Sequence, residues 1–553
     1  MTASTEPTAA ATAVAAARRL EQPAFISIAE PALAGPGPLA GLPFAVKDNI
    51  DVAGLPSTAA CPSLDQPATR HATAVRRLVV AGAVPIGKTN MDQFATGLVG
   101  TRSPYGACSS VFSARHVSGG SSSGSAVAVA SGVVPLALGT DTAGSGRVPA
   151  AFNGLVGLKP TRGLVSTSGV LPACPTLDCV TTLTRDVALA RTAFDVLVGI
   201  DARDPYSRAL PVTAPEGIAQ QMRVIAVPAG ELDLDDDHRK AWTDALAAAA
   251  TVARLVPVDV TPFLAAARLL YEGALVAERY EAFGHLVEHD GPHLDPTVRG
   301  IVRSGRDHPA AAVFAAHRRL TALRAEAMRV FVAADALLLP TTPGHPTLAE
   351  VAADPLGVNA RLGTYTNMVN LLDLSALAVP AGVRDDGLPF GVQLIAPAFA
   401  DRPLLDLGSR WLGEPLTAPA PAHDRVLLAV AGAHLSGQPA NPQLVRLGGR
   451  LHSRTRTAGG YRMYRVPGPF PRPGLVRTGD GPADGFALEL WDLPYEGLGR
   501  LLPEIAAPLA LGPVHLADGA VVTGFLATGE DVDAADDLSG FDGWRDYLAW
   551  TSQ

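Results

Sequence analysis

Across about its first 425 residues the chain alternates short apolar runs of strand length with stretches of helical spacing, and no other feature restricts its fold as tightly. Leu42–Val46, Val84–Gly87 and Val133–Leu138 read as strands, being short, mostly apolar runs bounded by turn residues. Thr73–Ala81 and Ser125–Ser131 read as helices. Such alternation predicts an α/β architecture, a large mixed sheet with helices on both faces. Segments 236–288 and 310–334 are alanine-rich with helical spacing and are expected to form a helical layer.

With 553 residues the chain exceeds what one ordinary core holds, so at least two domains are expected. Around Gly413–His423 the composition becomes proline-rich, as in a stiff extended linker. Beyond it, short β-like runs (Tyr461–Val466, Phe486–Leu490, Ala520–Phe525) sit between Gly/Pro turns. The expected division is a large α/β domain over 1–425 and a small β-rich (α+β) domain over 426–553.

Composition narrows the function classes. A hydrophobic content of 48% against 18% charged residues can fill a large interior. A net charge of -9, with no Lys/Arg-rich run, argues against nucleic acid or an anionic membrane as partner. The four cysteines (Cys61, Cys108, Cys174, Cys179) form no Cys-x-x-Cys pair, so neither a zinc site nor a disulfide framework is expected, and a reducing cytoplasm fits. The alanine-rich stretch 9–17 has its arginines after it, the wrong order for a secretory signal. No window approaches 18 uninterrupted apolar residues, so no transmembrane helix is expected.

Gly82-Ala-Val-Pro-Ile-Gly-Lys88-Thr89 matches a phosphate-binding P-loop letter for letter. Its physical setting is wrong. A phosphate cradle needs a strand before it and a helix after it, whereas here a helix precedes and the intervening residues are strand-like. A helix–turn–strand with Lys88 near the strand end is expected instead.

Residues 118–147 place Ser-Gly-Gly-Ser121-Ser-Ser-Gly-Ser and Gly139-Thr-Asp-Thr-Ala-Gly-Ser145-Gly-Arg147 on either side of the apolar segment Ala126–Leu138. Glycine- and serine-rich stretches are commonly flexible loops. Flanking buried structure, however, two such loops read as two walls of one site, because small residues let backbone N–H groups approach a ligand. A serine needs a base to become a nucleophile. His116 is the only histidine nearby, and Gly144-Ser145-Gly146 lacks the spacing of a nucleophile elbow. A neutral lysine would serve, provided burial lowers its pKa. Lys47 ends the apolar run Gly41–Val46. Taken alone, a lysine at a strand end is an ordinary surface residue.

Three separated segments resemble the amidase signature family: Gly41–Asp51 (GLPFAVKDNID), Gly82–Phe94 (GAVPIGKTNMDQF) and Gly119–Gly163. The likeness extends over about 420 residues, with the motifs in the same order and spacing. It implies an amidase-signature mixed sheet and a triad of lysine, cis-peptide serine and nucleophilic serine. The family's two serines stand 24 positions apart, the first after Gly-Gly; Ser121 and Ser145 meet both conditions. Lys47 takes the lysine's place. The resemblance further implies an oxyanion hole from the N–H groups of Thr142, Ala143, Gly144 and Ser145, and no metal, cofactor or catalytic histidine in the amide-cleaving step. Ser123 and Ala143 stand where much of the family has glycine; neither change removes a backbone donor.

Asp141–Asn153, Leu171–Cys179 and Arg361–Asp373 are similar to allophanate hydrolases within that family. Their substrate is a small anionic amide, for which arginine is the apt partner. Tyr271–Tyr280, read as a helical stretch, matches the segment that clamps the substrate, which implies that Tyr271 and Arg279 grip the carboxylate. On one helix these two would lie about 80° apart around the axis and about 12 Å along it, and could meet only through long side chains. An acid on a neighbouring element could equally pair with Arg279. The segments Gly432–Gly437, Tyr461–Tyr464, Phe486–Trp491 and Gly540–Tyr547 resemble the C-terminal domain accompanying these hydrolases. In some relatives that domain helps decarboxylate the first product, which makes His434 a candidate catalytic residue, although a structural histidine or a module supporting a homodimer would explain it too. No Met-Lys-Met biotinyl site is present, so any urea carboxylase acting with this chain would be a separate polypeptide. A general small-amide amidase, the glutaminase subunit of a tRNA amidotransferase, and a non-enzymatic binding protein are the alternatives.

Overall fold

In the computed structural model the described residues are 8–551, apart from 31, 212–213, 215–221, 272, 290, 292, 417–424, 467–471, 528–531 and 533–535. The chain divides into two compact units, Met1–Ala418 and Pro419–Gln553. Most of the expected linker falls outside the described residues. Its first residue, Gly413, ends the helix Asp401–Leu412 in the left-handed conformation (φ 68°), a common glycine role.

The first unit is built on an 11-stranded sheet. In chain order its strands are β1 (Phe25–Ile28), β2 (Pro43–Lys47), β3 (Val84–Thr89), β4 (Leu136–Asp141), β5 (Val156–Lys159), β6 (Cys179–Thr184), β7 (Val224–Pro228), β8 (Arg254–Val258), β9 (Ala336–Pro340), β10 (Leu374–Val383) and β11 (Pro389–Pro397). Across the sheet the order is β1-β3-β2-β4-β6-β5-β10-β11-β9-β7-β8. β2 runs parallel to both β3 and β4, while β4–β6 and β10–β11 are antiparallel, so the sheet is mixed. Every residue of β2, β4, β5, β6 and β9 is buried, as expected of strands covered on both faces.

Two element readings are corrected. The strand expected at Val133–Leu138 begins at Leu136 and runs on to Asp141. Val133 and Val134 donate instead to Ala128 O (3.0 and 3.3 Å), closing the helix Ser123–Ala130, and Pro135 has no N–H to offer. The segment 236–288 is not wholly helical: β8 lies inside it, between the helices Asp236–Val252 and Thr261–Arg268. Leu-Val-Pro-Val suits a strand, and its proline is tolerated because β8 is the edge of the sheet. The helix before it is capped by Asp235, whose carboxylate accepts from His238 N at 2.7 Å.

The P-loop-like segment forms the expected helix–turn–strand. Helix Thr73–Val80 leads through Gly82 (φ 95°) into β3. Lys88 is buried, pairs with Asp48 (3.5 Å) and donates to Pro56 O and Ser57 Oγ (both 2.9 Å).

The second unit holds a five-stranded sheet of β12 (Arg425–Val430), β13 (Arg450–Arg456), β14 (Ala487–Pro494), β15 (Leu509–His515) and β16 (Val521–Ala527), ordered β13-β14-β12-β16-β15. Tyr461–Val466, Arg472–Arg477 and Asp536–Asp537 make a second, smaller sheet. Its core is separate, with Leu428, Tyr461, Leu493 and Trp544 at its centre.

Candidate active site

β2 and β4 are parallel neighbours, so their C-terminal ends, Lys47 and Thr140–Asp141, emerge side by side. Open α/β sheets bind ligands at such strand ends. Lys47 is completely buried. Its Nζ lies 2.7 Å from Ser121 Oγ, 2.8 Å from Thr140 Oγ1 and 3.4 Å from Thr140 O. Burial brings its pKa down to about 7; Asp92, Asp141 and Asp178 pull the other way, and Arg279 adds to the lowering. At that value about half the lysines are neutral at pH 7, against roughly one in a few thousand for an ordinary lysine.

Ser121 precedes the helix Ser123–Ala130, and the Gly120–Ser121 peptide is cis. Ser145 follows β4 in the loop leading to the helix Arg147–Phe152. The two serine loops are joined through the main chain, Ser122 N donating to Ser145 O at 3.2 Å. The Ser145 hydroxyl donates to Gly97 O (3.4 Å) and makes no hydrogen bond to Ser121.

Asp141 organises the donor loop. Its carboxylate accepts from Gly144 N (2.7 Å), Gly146 N (3.2 Å) and Arg147 N (3.4 Å), and takes a two-pronged contact from Arg147 Nε (2.9 Å) and Nη2 (3.0 Å). Burial, the largest single influence, would raise its pKa, but Arg147, Lys159 and the Gly144 N–H together hold it below the usual carboxylate value. Arg147 is itself fixed by Gln393 Oε1 (2.8 Å), Thr366 O (3.2 Å) and Asn370 Oδ1 (3.3 Å). One expectation changes here. The N–H of Gly144 is already committed to Asp141, which leaves Thr142, Ala143 and Ser145, whose N–H groups meet no protein acceptor among the described residues. Gly144 serves by its shape: φ is 132°, and a Cβ would come within 2.4 Å of Thr366 Oγ1.

Tyr271 and Arg279 are brought together, though not along one helix as expected. The helix Thr261–Arg268 ends before Tyr271, and Gly273 is extended (φ -147°, ψ -168°). Arg279 then lies in the next helix, Ala277–Val287. This break lets Arg279 Nη2 donate to Tyr271 Oη at 3.0 Å. Nη1 donates to Thr96 Oγ1 (3.0 Å) and Ala95 O (3.5 Å), and no carboxylate contacts the buried guanidinium among the described residues. The segment Ala95–Gly97 thus touches Arg279 on one side and the Ser145 hydroxyl on the other.

Asp178, inside the Leu171–Cys179 segment, is a buried residue that the sequence does not single out by itself. It accepts from Thr142 Oγ1 (2.5 Å), Ala173 N (2.8 Å) and Cys174 N (3.1 Å), and burial pushes its pKa up to about 6. Its signal in the sequence is its place in that segment, as a lone acid among apolar and small neighbours. Thr140, the second partner of Lys47, gives no signal, since a threonine in an apolar strand is ordinary.

In the second unit His434 lies in a loop after β12, its ring stacked on Phe525 (centroids 4.9 Å apart). Its Nε2 is 2.7 Å from Gln443 Oε1, and Gln443 Nε2 donates to Glu504 Oε2 at 2.6 Å. Because the carboxylate accepts only, the Gln443 amide must present its oxygen to the ring, so Nε2 bears the proton and Nδ1 is free of one in neutral His434. Burial lowers the pKa of the ring, opposed by Gln443. His434, Gln443, Arg472, Glu504, Leu475 and Phe525 line one cavity. Among the described residues no group of three or more His, Cys, Asp or Glu side chains is placed to hold a metal ion, and no helix is long and apolar enough to cross a membrane.

A buried lysine near neutrality, two serine loops and open backbone donors describe an amidohydrolase, and comparison with known proteins gives the lineage. The Amidase family model matches residues 3–405, and that of the allophanate hydrolase C-terminal domain matches residues 426–549. The chain is 43% identical over 551 residues to urea amidolyase of Lachancea kluyveri, covering 93% of this chain and 30% of that protein. It is 41% identical over 543 residues to urea amidolyase of Saccharomyces cerevisiae, covering 92% and 30%. A solved structure of Kluyveromyces lactis allophanate hydrolase superimposes with a TM-score of 0.72 at 40% identity, over 99% of this chain and 94% of that one. The chain belongs to the amidase family and carries an allophanate hydrolase C-terminal domain. It spans about 30% of the length of the urea amidolyases it matches.

Proposed function

We propose that the chain hydrolyses allophanate, with Ser145 as nucleophile, Ser121 as proton relay and Lys47 as base. The observation carrying this reading is the convergence on Ala95–Gly97 of a nucleophile's hydroxyl and a buried arginine with no carboxylate in contact among the described residues. A substrate whose carboxylate meets Arg279 and Tyr271 would lay its amide carbonyl toward Ser145. Neutral Lys47 accepts the Ser121 proton and Ser121 accepts that of Ser145, whose hydroxyl gives up Gly97 O for Ser121 Oγ in the reacting complex. The N–H groups of Thr142, Ala143 and Ser145 receive the developing oxyanion, and one such donor is worth about 3–4 kcal/mol to the transition state. Ammonia leaves with the proton returned from Lys47 through Ser121, and water, deprotonated by the same route, clears the acyl-enzyme.

The product is a dicarboxylate, which loses CO₂. We assign that second step to His434 in the C-terminal unit, giving two ammonia and two CO₂ overall, and place the chain after a urea carboxylase. A general amidase or a glutaminase would leave the residues after 425 without a role. Ammonia release from allophanate, malonamate, glutamine and acetamide tests the assignment. Ser145→Ala is expected to abolish release, and acetamide preferred over allophanate would refute the substrate.

A further inference from the structure

Residues 173–178 form a turn held at both ends. At one end Asp178 accepts from Thr142 Oγ1, while Ala173 N and Cys174 N lock the carboxylate within its own turn. At the other end Thr176 donates through N (2.7 Å) and Oγ1 (2.8 Å) to the carboxylate of Glu278, the residue before Arg279. Between them Cys174 and Leu177 share an apolar cluster with Ala143, against which Tyr271 packs. A single turn therefore connects the loop of backbone donors to the helix that carries the guanidinium.

We propose that Asp178 is a positioning residue for amide cleavage. Through the Thr142 hydroxyl it sets the direction of the Thr142 and Ala143 N–H groups, and through Thr176 and Glu278 it refers that direction to Arg279. The idea rests on the reading of Ser145 as nucleophile. Asp178 need not touch substrate to act. A hydroxyl bonded to a buried carboxylate is held more firmly than one bonded to a neutral acceptor, and transition-state donors lose effectiveness when misdirected. The charged or titratable groups facing Asp178 are Arg279 from its helix, Cys174 from the same turn and Lys47 from β2.

The test uses the full chain with malonamate as substrate and compares Asp178→Asn, Thr142→Val and their combination. Each single change is expected to lower kcat ten- to a hundredfold with KM altered less than threefold, and the double variant to be no worse than the poorer single. Thr142→Ser, which keeps the hydroxyl, should recover most of the loss. The acid side of the wild-type kcat profile should fall tenfold per pH unit below about 7, as Lys47 takes up its proton, and more steeply below about 6; Asp178→Asn should lose the steeper part. An unchanged kcat, losses that multiply in the double variant, or an unaltered acid limb would overturn the proposal. Should Asp178→Asn fail to fold, the two Thr142 variants decide the matter. Ammonia release by Ser145→Ala would instead overturn the nucleophile and leave Asp178 unassigned.

Discussion

Burying an ammonium with no carboxylate in direct contact works against folding, and Lys47 is buried among two hydroxyls and a carbonyl. Its lowered pKa records that cost. Below about 7 both folded and unfolded chains hold the proton and the penalty is complete; it fades as pH rises toward the ordinary value of 10.5. Lys47→Met should therefore stabilise the protein at pH 7 by roughly 1–4 kcal/mol, with the advantage shrinking by pH 10, as thermal or urea unfolding at the two pH values would show. Activity should follow the opposite logic, with kcat/KM rising through a pH near 7 as Lys47 loses its proton. Arg279→Ala should raise KM for an anionic amide at least tenfold and spare acetamide, a comparison that steady-state ammonia assays make directly. Ser121, Ser145 and Lys47 are legible as candidates only through the resemblance, which supplies the 24-residue offset and the setting of the lysine; by themselves, serines in glycine-rich loops and a lysine at a strand end are ordinary. The engagement of the Gly144 N–H is not, since a backbone donor looks alike in every residue and only the folded Asp141 reveals its partner.

At the scale of elements, the loop after β4 depends on Asp141 and Arg147, both without solvent exposure. Losing one partner of such a buried pair typically costs about 3–5 kcal/mol. Arg147→Met should destabilise the protein by about that amount and lower kcat further by loosening the donor loop, measurable as a drop in unfolding midpoint alongside kcat. The alternation of apolar runs is enough to foresee the sheet, because strands covered on both faces must be largely apolar, even where β2, β4 and β6 carry a buried lysine, aspartate or threonine. Ends are harder. Val133 and Val134 have strand composition but complete a helix end, and the break that splits Tyr271 from Arg279 begins where the helix ends at Arg268, well before the extended Gly273. Residues 254–258 read as part of a helical stretch because the alanine-rich segments on both sides dominate the local pattern.

For the whole molecule, the large α/β unit and the smaller β-rich unit each have their own core, and the change of composition after residue 413 is enough to signal the second. What the second unit does cannot be read from one histidine. The chain His434–Gln443–Glu504 joins positions 434, 443 and 504, and no local motif spans that distance. If His434 serves the second step, His434→Ala should leave the first ammonia released at the wild-type rate and slow CO₂ evolution, which coupled assays of the two gases would separate.

All four thiols lie beneath the surface, and Cys174 sits inside the turn between Asp178 and Glu278 with 1% of its surface exposed. An alkylating reagent can reach it only while that turn is open. Its labelling rate is thus a stopwatch for breathing at the site, one that an anionic ligand bound at Arg279 should slow.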